Sequence, residues 1–316
     1  MQNILVVYFS QSGQLERVAR TIASPLEAAE DVRVDYLRLE PEPAYPFPWG
    51  FFSFLDVFPE SVYLDPPRLR PFELEPGRRY DAVVLAYTVW FLSPAPPVTG
   101  FLKSEEGRRL LSGVPVITVT ACRNMWLSAQ EEVKRMLAEA GAKHCDHVAL
   151  VDQGSSLATF FTTPRWMLTG RKDRWLGLFP RAGVSEEQIA GSTRFGRALL
   201  DALRRGALDG VRPVLNGLDA ARMDDRLLAS ERIGRRSFRI WGRLLRRVGG
   251  PGSPRRKPVL AVYVVFLVAM IVVVVPPSML IRTLLRPFGR ERMARERAYY
   301  EQPSGSGTER LGEFSE

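Results

Sequence analysis

The sequence predicts an α/β protein with a doubly wound, parallel sheet. Two observations predict it: short apolar runs alternate with stretches of helical periodicity, and the runs are apolar throughout instead of alternating with polar residues. Continuous Val, Ile and Leu runs are typical of parallel strands that are covered on both faces. Five such runs occur, at residues 4–9, 32–39, 82–87, 114–120 and 147–151. The repeating strand–helix order then predicts helices on both sides of one sheet.

The helices between these runs follow from apolar spacing. Leu15, Val18 and Ile22 repeat at helical intervals after the first run. A second repeat of this kind covers 133–140 and ends at Gly141, a typical helix stop. Residues 186–204 form an amphipathic stretch that we interpret as one closing helix. The predicted domain therefore spans residues 1–205.

Two long, aromatic insertions interrupt this domain at residues 43–79 and 153–184. Loops longer than about 12 to 15 residues are usually functional or disordered, and these are too aromatic for disorder. The first contains Tyr45, Phe47, Trp49, Phe51, Phe52, Phe54, Phe58 and Tyr63, and the second contains Phe160, Phe161, Trp166 and Trp175. Two interpretations of the first insertion remain open: an added core or dimer surface, and an apolar gate for an alkyl-chain substrate.

The chain after residue 205 predicts attachment to a membrane. Residues 206–258 form a basic, amphipathic segment, in which 232–257 carries ten Lys and Arg and no acid. The segment 259–281 follows, with 23 residues and no charge. About 20 apolar residues span a bilayer as a helix. Basic residues beside such a segment indicate attraction to anionic lipid before nucleic acid, so we expect no nucleic-acid partner.

The orientation of this segment stays open. Five Lys and Arg lie within 15 residues on each side of it, so the charges give no bias. Pro276 and Pro277 interrupt the segment, and a re-entrant anchor is therefore an alternative to a single span. The tail 282–316 is predicted to be basic and then disordered. The first residues lack a signal peptide, and two cysteines without paired spacing indicate a reducing compartment, so we expect the domain to face the cytoplasm.

The loop after the first strand has the composition of a phosphate site without a cation. A helix that begins directly after a strand presents free N–H groups and a positive dipole end. Ser10 and Ser12 add hydroxyl groups, and Gly13 lets the backbone approach a ligand. Neither GxGxxG nor GxxxxGK[ST] occurs here, so a dinucleotide or triphosphate site is not predicted. A plain turn is the alternative for this loop.

The loop after the third strand, residues 87–102, supports a ligand site. In a doubly wound sheet, ligands bind beyond the carboxyl ends of the strands at the switch point. This loop would place five residues opposite the phosphate loop: Thr88, Val89, Trp90, Phe91 and Ser93. An aromatic ring beside a planar heterocycle gains roughly 0.5 to 1.5 kcal/mol beyond area burial.

These two loops, SQSGQL and TVWFLSPAPP, resemble those of the flavodoxin superfamily. The resemblance covers residues 1–205 and implies a five-stranded sheet of order 2-1-3-4-5 that binds FMN. It implies that Trp90 lies near the isoalloxazine ring. It also implies that the phosphate is held by Ser10, Gln11, Ser12, Gly13 and Gln14. Leu15 departs from the pattern, because Thr or Ser often ends this loop.

A nearly full-length resemblance connects the chain to bacterial dialkylresorcinol condensing enzymes. It rests on PEPAYPFPWGFF, WFLSPAPP, CRNMW, TTPRWMLTG, RIGRRSFRIWG and the apolar C-terminal segment. It implies an aryl-lipid pathway with partner enzymes. A carbon–carbon condensation would need a thiolate paired with a histidine, and the sequence does not indicate such a pair. We therefore expect an FMN-dependent oxidation that aromatises a cyclohexanedione-type ring. A membrane-tethered electron carrier and a scaffold without flavin are the alternatives.

Candidate catalytic residues follow the fourth and fifth strands. Arg123 or Asn124 would hold an enolate oxygen, and Trp126 would cover the flavin; the alternative is that Arg123 and Asn124 only cap the next helix. Asp152 is a candidate base, with a solvated carboxylate as the alternative. We interpret His144, His147 and Cys145 as structural and Cys122 as an inert thiol. No metal site is predicted.

Overall fold

The computed structural model describes residues 1–274 and 290–314. Five parallel strands form the central sheet in the order β2-β1-β3-β4-β5. They are β1 Gln2–Tyr8, β2 Val32–Arg38, β3 Ala82–Tyr87, β4 Pro115–Cys122 and β5 Lys143–Val151. The predicted fold class and strand order are confirmed, and the order is that of flavodoxin-like, doubly wound domains.

Helices cover both faces of this sheet. In chain order they are α1 Gln14–Glu27, α2 Phe51–Asp56, α3 Phe58–Val62, α4 Pro96–Lys103, α5 Glu105–Leu111, α6 Leu127–Glu139, α7 Thr159–Thr169, α8 Glu186–Ala190, α9 Thr193–Arg204, α10 Leu228–Val248, α11 Arg256–Ala269, α12 Arg290–Tyr300 and α13 Leu311–Phe314. Ile4 and Val6 face the core under α1 and α9, whereas Leu5 and Val7 face the core under α4 and α6. Because both faces are buried, the strands are apolar throughout.

Two predicted element boundaries are wrong. The closing helix, predicted over 186–204, is divided into α8 and α9 at Gly191 and Ser192. The Ser192 hydroxyl donates to the Ile189 carbonyl oxygen at 2.6 Å, so a carbonyl group in the last turn of α8 finds its hydrogen-bond donor within the break. Strand β5 begins at Lys143 instead of 147, because the polar residues His144 and Asp146 find partners inside the fold.

The first insertion forms part of the core. The short strand Pro41–Glu42, directly before the insertion, pairs with Arg68–Leu69 inside it, and α2 and α3 lie between the two in the chain. Trp49 and Phe58 are buried, and Phe58 stacks on Tyr263 of α11 with ring centroids 4.9 Å apart. The first insertion therefore joins the sheet domain to the C-terminal helices, as the added-core interpretation expects.

The predicted boundary at residue 205 and the predicted disordered tail are both wrong. Residues 207–227 pack along β5, with Leu215 and Leu218 in the same core as β1. The tail after α12 also packs here: Ala221 N–H donates to the Gly305 carbonyl at 2.9 Å. Ser304 is buried, and its hydroxyl donates to Asp146 Oδ1 at 2.8 Å.

The apolar helix α11 continues as a π-helix, Met270–Val274. Residues 256–273 form the one helix of the described chain that is long and apolar enough to cross a membrane, with a mean hydropathy of 2.1. The rest of the predicted segment 259–281, including Pro276 and Pro277, lies outside the described residues.

Candidate functional site

The loop between β1 and α1 is open at its glycine. Gly13 caps α1 with φ 81°, and a Cβ at this position would meet no atom within 4 Å. Ser10 is buried, and its Oγ accepts a hydrogen bond from Glu16 N–H at 3.2 Å, which leaves its hydroxyl hydrogen for a ligand. The first N–H groups of α1 have no partner inside the helix. The loop therefore presents amide and hydroxyl donors around free space.

The two glutamines of this loop hold the insertions. Gln11 Nε2 donates to the Pro46 carbonyl of the first insertion at 3.1 Å. Gln14 Oε1 accepts from Val184 N–H, at the end of the second insertion, at 3.1 Å. A Cβ on Gly183 would lie 2.1 Å from Gln14 Oε1, so only glycine permits this approach. Gln11 and Gln14 thus connect both insertions to the loop, instead of pointing freely toward a phosphate.

Leu15 and Ser12 differ in their surroundings. Leu15 is 2% exposed and packs in the core under α1, so its side chain does not face the loop. Ser12 is half-buried at the start of the helix. The missing hydroxyl at Leu15 therefore reflects a core position, and the remaining hydroxyl groups of the loop are those of Ser10 and Ser12.

Trp90 lies at the centre of an aromatic cluster. It follows β3 in a short antiparallel turn, in which Val89–Trp90 pairs with Ser93–Pro94. The indole is 6% exposed. Four rings surround it with centroids 5.4 to 5.8 Å away, namely Phe9, Tyr45, Trp49 and Phe54. A planar cofactor reaches Trp90 only by taking the place of one of these rings.

Phe91 is in contact with the edge of this cluster, since its ring lies 5.0 Å from that of Phe54. Its backbone has φ 50°, which is unusual for a residue with a side chain. Its ring contacts Phe58 of α3 and Phe238 of α10, with centroids 5.5 and 5.9 Å away. Phe91 therefore connects the Trp90 cluster to α3 and to the C-terminal helices.

Several buried polar atoms around this edge have no hydrogen-bond partner. Among the described residues these include Trp49 Nε1, Thr88 Oγ1, Thr162 Oγ1 and Thr163 Oγ1. The segments that carry them are in contact: the Trp49 ring meets the Trp90 ring edge to face, and the backbone N–H of Trp49 donates to the Met167 carbonyl of α7 at 2.9 Å. Buried polar groups are normally paired, so unpaired ones at one edge of the sheet indicate a place for a polar ligand.

Arg123 and Asn124 both reach the second insertion. Arg123 Nε donates to Thr159 Oγ1 at 2.8 Å, and the guanidinium lies 3.7 Å from the centre of the Phe160 ring. Burial lowers the pKa of Arg123 to about 10, so it remains charged at neutral pH. Asn124 Nδ2 lies 3.4 Å from Ser156 Oγ. Both side chains therefore hold the insertion over the carboxyl end of β4.

Asp152 is buried, which corrects the alternative of a solvated carboxylate. Its Oδ1 accepts from Gly154 N–H at 2.7 Å and its Oδ2 from Gly183 N–H at 2.5 Å. Burial raises the pKa of this carboxyl, and the two hydrogen bonds act in the opposite direction. Asp152 therefore joins the two ends of the second insertion.

Trp126 belongs to a different buried cluster from Trp90. It is 1% exposed and packs on His147 with centroids 4.9 Å apart, in a core that also contains Met223 and Leu228. The prediction that Trp126 covers the flavin is therefore wrong, because the segment after residue 205 supplies a core for it.

The histidines and cysteines lie within the packed strands. Thr118 Oγ1 lies 2.9 Å from both His144 Nε2 and His147 Nδ1. Burial lowers the pKa of His144 to about 4, and that of His147 further. Burial raises the pKa of Cys145 to about 12 and also raises that of Cys122. These groups are therefore uncharged at neutral pH.

The sequence did not predict the contacts of the two glutamines or the unpaired buried polar atoms of Trp49, Thr162 and Thr163. Trp49 belongs to the first insertion, and the many aromatic residues of this insertion were the signal that it packs on the domain. Thr162 and Thr163 precede Trp166 in the segment TTPRW, which gave no signal, because an unpaired hydroxyl is visible only once its surroundings are known.

The similarity of this chain to known proteins is low. No family model matches the chain, and no curated protein matches it. Among solved structures, it is similar to an FMN complex of a flavoprotein from Lactobacillus acidophilus NCFM, with a TM-score of 0.38, 15% identity, and coverage of 47% of this chain and 93% of that chain. A flavodoxin from the domain Archaea gives a TM-score of 0.35 and 12% identity over 65% of this chain and 99% of that one. Flavodoxin 1 from Bacillus cereus gives a TM-score of 0.34 and 12% identity, over 63% of this chain and 98% of that chain. The strand order, not these similarities, defines the fold class.

Proposed function

We propose that the chain is a membrane-attached, FMN-dependent oxidoreductase that acts on a lipid-like ring. One observation carries the proposal: Gln11 and Gln14 of the β1–α1 loop hold both long insertions over the carboxyl edge of the sheet. In a doubly wound sheet this edge is where ligands bind. An enclosed edge suits a protein that holds a cofactor and a substrate together.

The β1–α1 loop fits the phosphate of FMN. Amide N–H groups at the start of α1 and the Ser10 and Ser12 hydroxyl groups would bind it, and the space beside Gly13 would admit it. No Lys or Arg lies in residues 10–15, which suits a monophosphate held by neutral donors.

The unpaired polar atoms fit the ring of FMN. A flavin ring carries carbonyl oxygens and ring nitrogens that need hydrogen bonds. Trp49 Nε1 and the hydroxyl groups of Thr88, Thr162 and Thr163 are buried, and they lack other partners in the described structure. Trp90 would contact the ring after one neighbouring aromatic side chain moves.

Bound FMN would supply a two-electron acceptor. The chain's own groups would orient the substrate: Arg123, charged at neutral pH, has guanidinium N–H groups besides those it donates to Thr159 and Ser156, and with Asn124 it would hold a ring oxygen as negative charge develops on it. Asp152 already accepts two backbone hydrogen bonds, so we assign it to positioning the second insertion instead of accepting the proton.

The substrate class that we propose follows from the resemblance of the sequence to dialkylresorcinol condensing enzymes. A dialkyl cyclohexane-1,3-dione that loses one hydride and one proton becomes the aromatic resorcinol, so the oxidation balances with a two-electron acceptor. An alkyl-chain substrate partitions into lipid, and the apolar helix α11 supports membrane attachment near it. Partner enzymes of the same pathway would supply the ring.

A membrane-tethered electron carrier is the alternative. A carrier needs an exposed flavin edge for its partners. Here the two insertions cover the Trp90 region, which favours the enzyme.

Anaerobic mixing tests the reaction. We expect a dialkyl cyclohexane-1,3-dione to bleach the flavin of the FMN-loaded protein, with one resorcinol formed per flavin reduced. Arg123→Ala should slow bleaching by about tenfold to a thousandfold, as loss of one group that stabilises developing charge does. Exposed Arg174→Ala is the control. A flavin that stays oxidised with the dione, but is reduced by a redox partner protein, would identify a carrier.

A further inference from the structure

The N-terminal end of the apolar segment is fixed to the sheet domain. Arg256, the first residue of α11, is 1% exposed. Its guanidinium contacts Glu60 Oε1 at 2.8 Å and Asp56 Oδ1 at 3.4 Å, both in the first insertion. One and two turns later, Leu260 and Tyr263 are buried against the same insertion.

The C-terminal end is fixed to the same domain. In α12, Glu296 pairs with Arg232 at 2.6 Å, and Tyr299 donates to Glu131 at 2.7 Å. The chain that follows is built into the edge of the sheet. Ser304 Oγ accepts from His147 N–H at 2.7 Å, in addition to donating to Asp146.

Hydrogen bonds between backbone groups also hold this end of the chain to the domain. Asp219 N–H donates to the Gly307 carbonyl at 2.6 Å, and Arg310 N–H donates to the Gly217 carbonyl at 2.9 Å. Residues 301–310 are therefore part of the domain that contains β5. Their separation from it would leave the carboxylate of Asp146 buried without its Ser304 partner, which is costly.

The helix between these ends presents an uncovered apolar surface. Val262, Val265 and Val268 are 59%, 71% and 54% exposed, and Val272 and Val273 are 65% and 66% exposed. Only 17% of the window 256–273 is buried inside the protein. Large exposed apolar patches mark sites that bind proteins or membranes.

The charges at the start of this helix favour a bilayer with anionic lipid. Arg255 and Lys257 flank the buried Arg256, and both are exposed. In the described part of the chain Asp56 and Glu60 pair with Arg256, and no carboxylate pairs with Arg255 or Lys257. Basic residues at a membrane surface are each attracted by about 1 kcal/mol.

We propose that the apolar segment attaches to the membrane from one side only: α11 enters the cytoplasmic leaflet of an anionic bilayer, and residues 290–314 lie on the same side as the sheet domain. This inference rests on the proposed membrane attachment. A single crossing would place residues 290–314 on the opposite side of the membrane from β5, to which they are hydrogen-bonded. Two crossings need about 40 apolar residues, and the uncharged segment has 23.

Impermeant maleimide labelling of the full-length protein tests this topology. Thr308→Cys places a thiol on the exposed tail, and Glu30→Cys places a matched thiol on the exposed surface of the sheet domain. The unsubstituted protein, with its buried Cys145 and half-buried Cys122, gives the background. We expect both added thiols to react equally in sealed inverted vesicles and to be protected in right-side-out vesicles.

Flotation separates failure of the inference from failure of attachment. We expect the purified chain to float with phosphatidylglycerol vesicles and less with phosphatidylcholine vesicles. Flotation together with a Thr308→Cys thiol that is protected in inverted vesicles would overturn the same-side topology and leave attachment intact. A chain that does not float, and instead forms a dimer through α11, would overturn both.

Discussion

Gly13→Ala is expected to weaken FMN binding by about tenfold or more, which corresponds to about 1.4 kcal/mol. The added methyl group would occupy the space that we assign to the phosphate. It would also penalise the left-handed backbone at φ 81° by about 1 to 2 kcal/mol. Flavin fluorescence during titration with FMN measures the affinity.

Gly77→Ala is the matched control for this substitution. Gly77 has φ 78°, and a Cβ there also meets nothing within 4 Å, but it lies in the turn before β3, away from the carboxyl edge. Both variants should therefore lose similar stability. Equal FMN affinity in the two variants would contradict the assignment of the β1–α1 loop.

Arg256→Ala is expected to destabilise the protein by about 3 to 5 kcal/mol, because it leaves carboxylates in the first insertion without their buried partner. Its side chain is 1% exposed between Asp56 and Glu60, and its Nε also donates to the Gly249 carbonyl at 2.8 Å. Denaturant unfolding in detergent measures the loss.

Arg255→Ala controls for the removal of one positive charge, since Arg255 is exposed at the neighbouring position. It should change stability by less than about 0.5 kcal/mol. Arg256→Lys retains the charge but loses the two-pronged contact, so an intermediate loss is expected. If Arg256→Ala and Arg255→Ala unfold at the same denaturant concentration, the ion pair does not hold α11 to the domain.

The sheet was predictable because its signal is local. Each strand is a short run of residues buried on both faces, and such runs are visible without knowing their neighbours. The tail was not predictable for the opposite reason. QPSGSG has the composition of a flexible linker, and it is ordered by bonds to Asp146, His147 and the backbone of 217–221, far away in sequence.

The candidate site was predictable in position but not in the roles of its side chains. Ser10 and Gly13 lie where a strand followed by a helix predicts them. From the sequence, Gln11 and Gln14 were as well suited to a phosphate as Ser10 and Gly13, yet the side chain of each is hydrogen-bonded to an insertion. Trp126 follows its strand as expected, but a core made by residues after 205 encloses it. Such contacts depend on segments whose packing the local sequence does not specify.

The central claim is that the carboxyl edge of this sheet binds FMN, and the absorption spectrum of the detergent-solubilised, full-length chain tests it most directly. We predict a band at about 450 nm, the expected position for an oxidised flavin. We also predict that denaturation releases one FMN per chain. A purified chain that shows no such band, and that acquires none after incubation with excess FMN, would contradict the account.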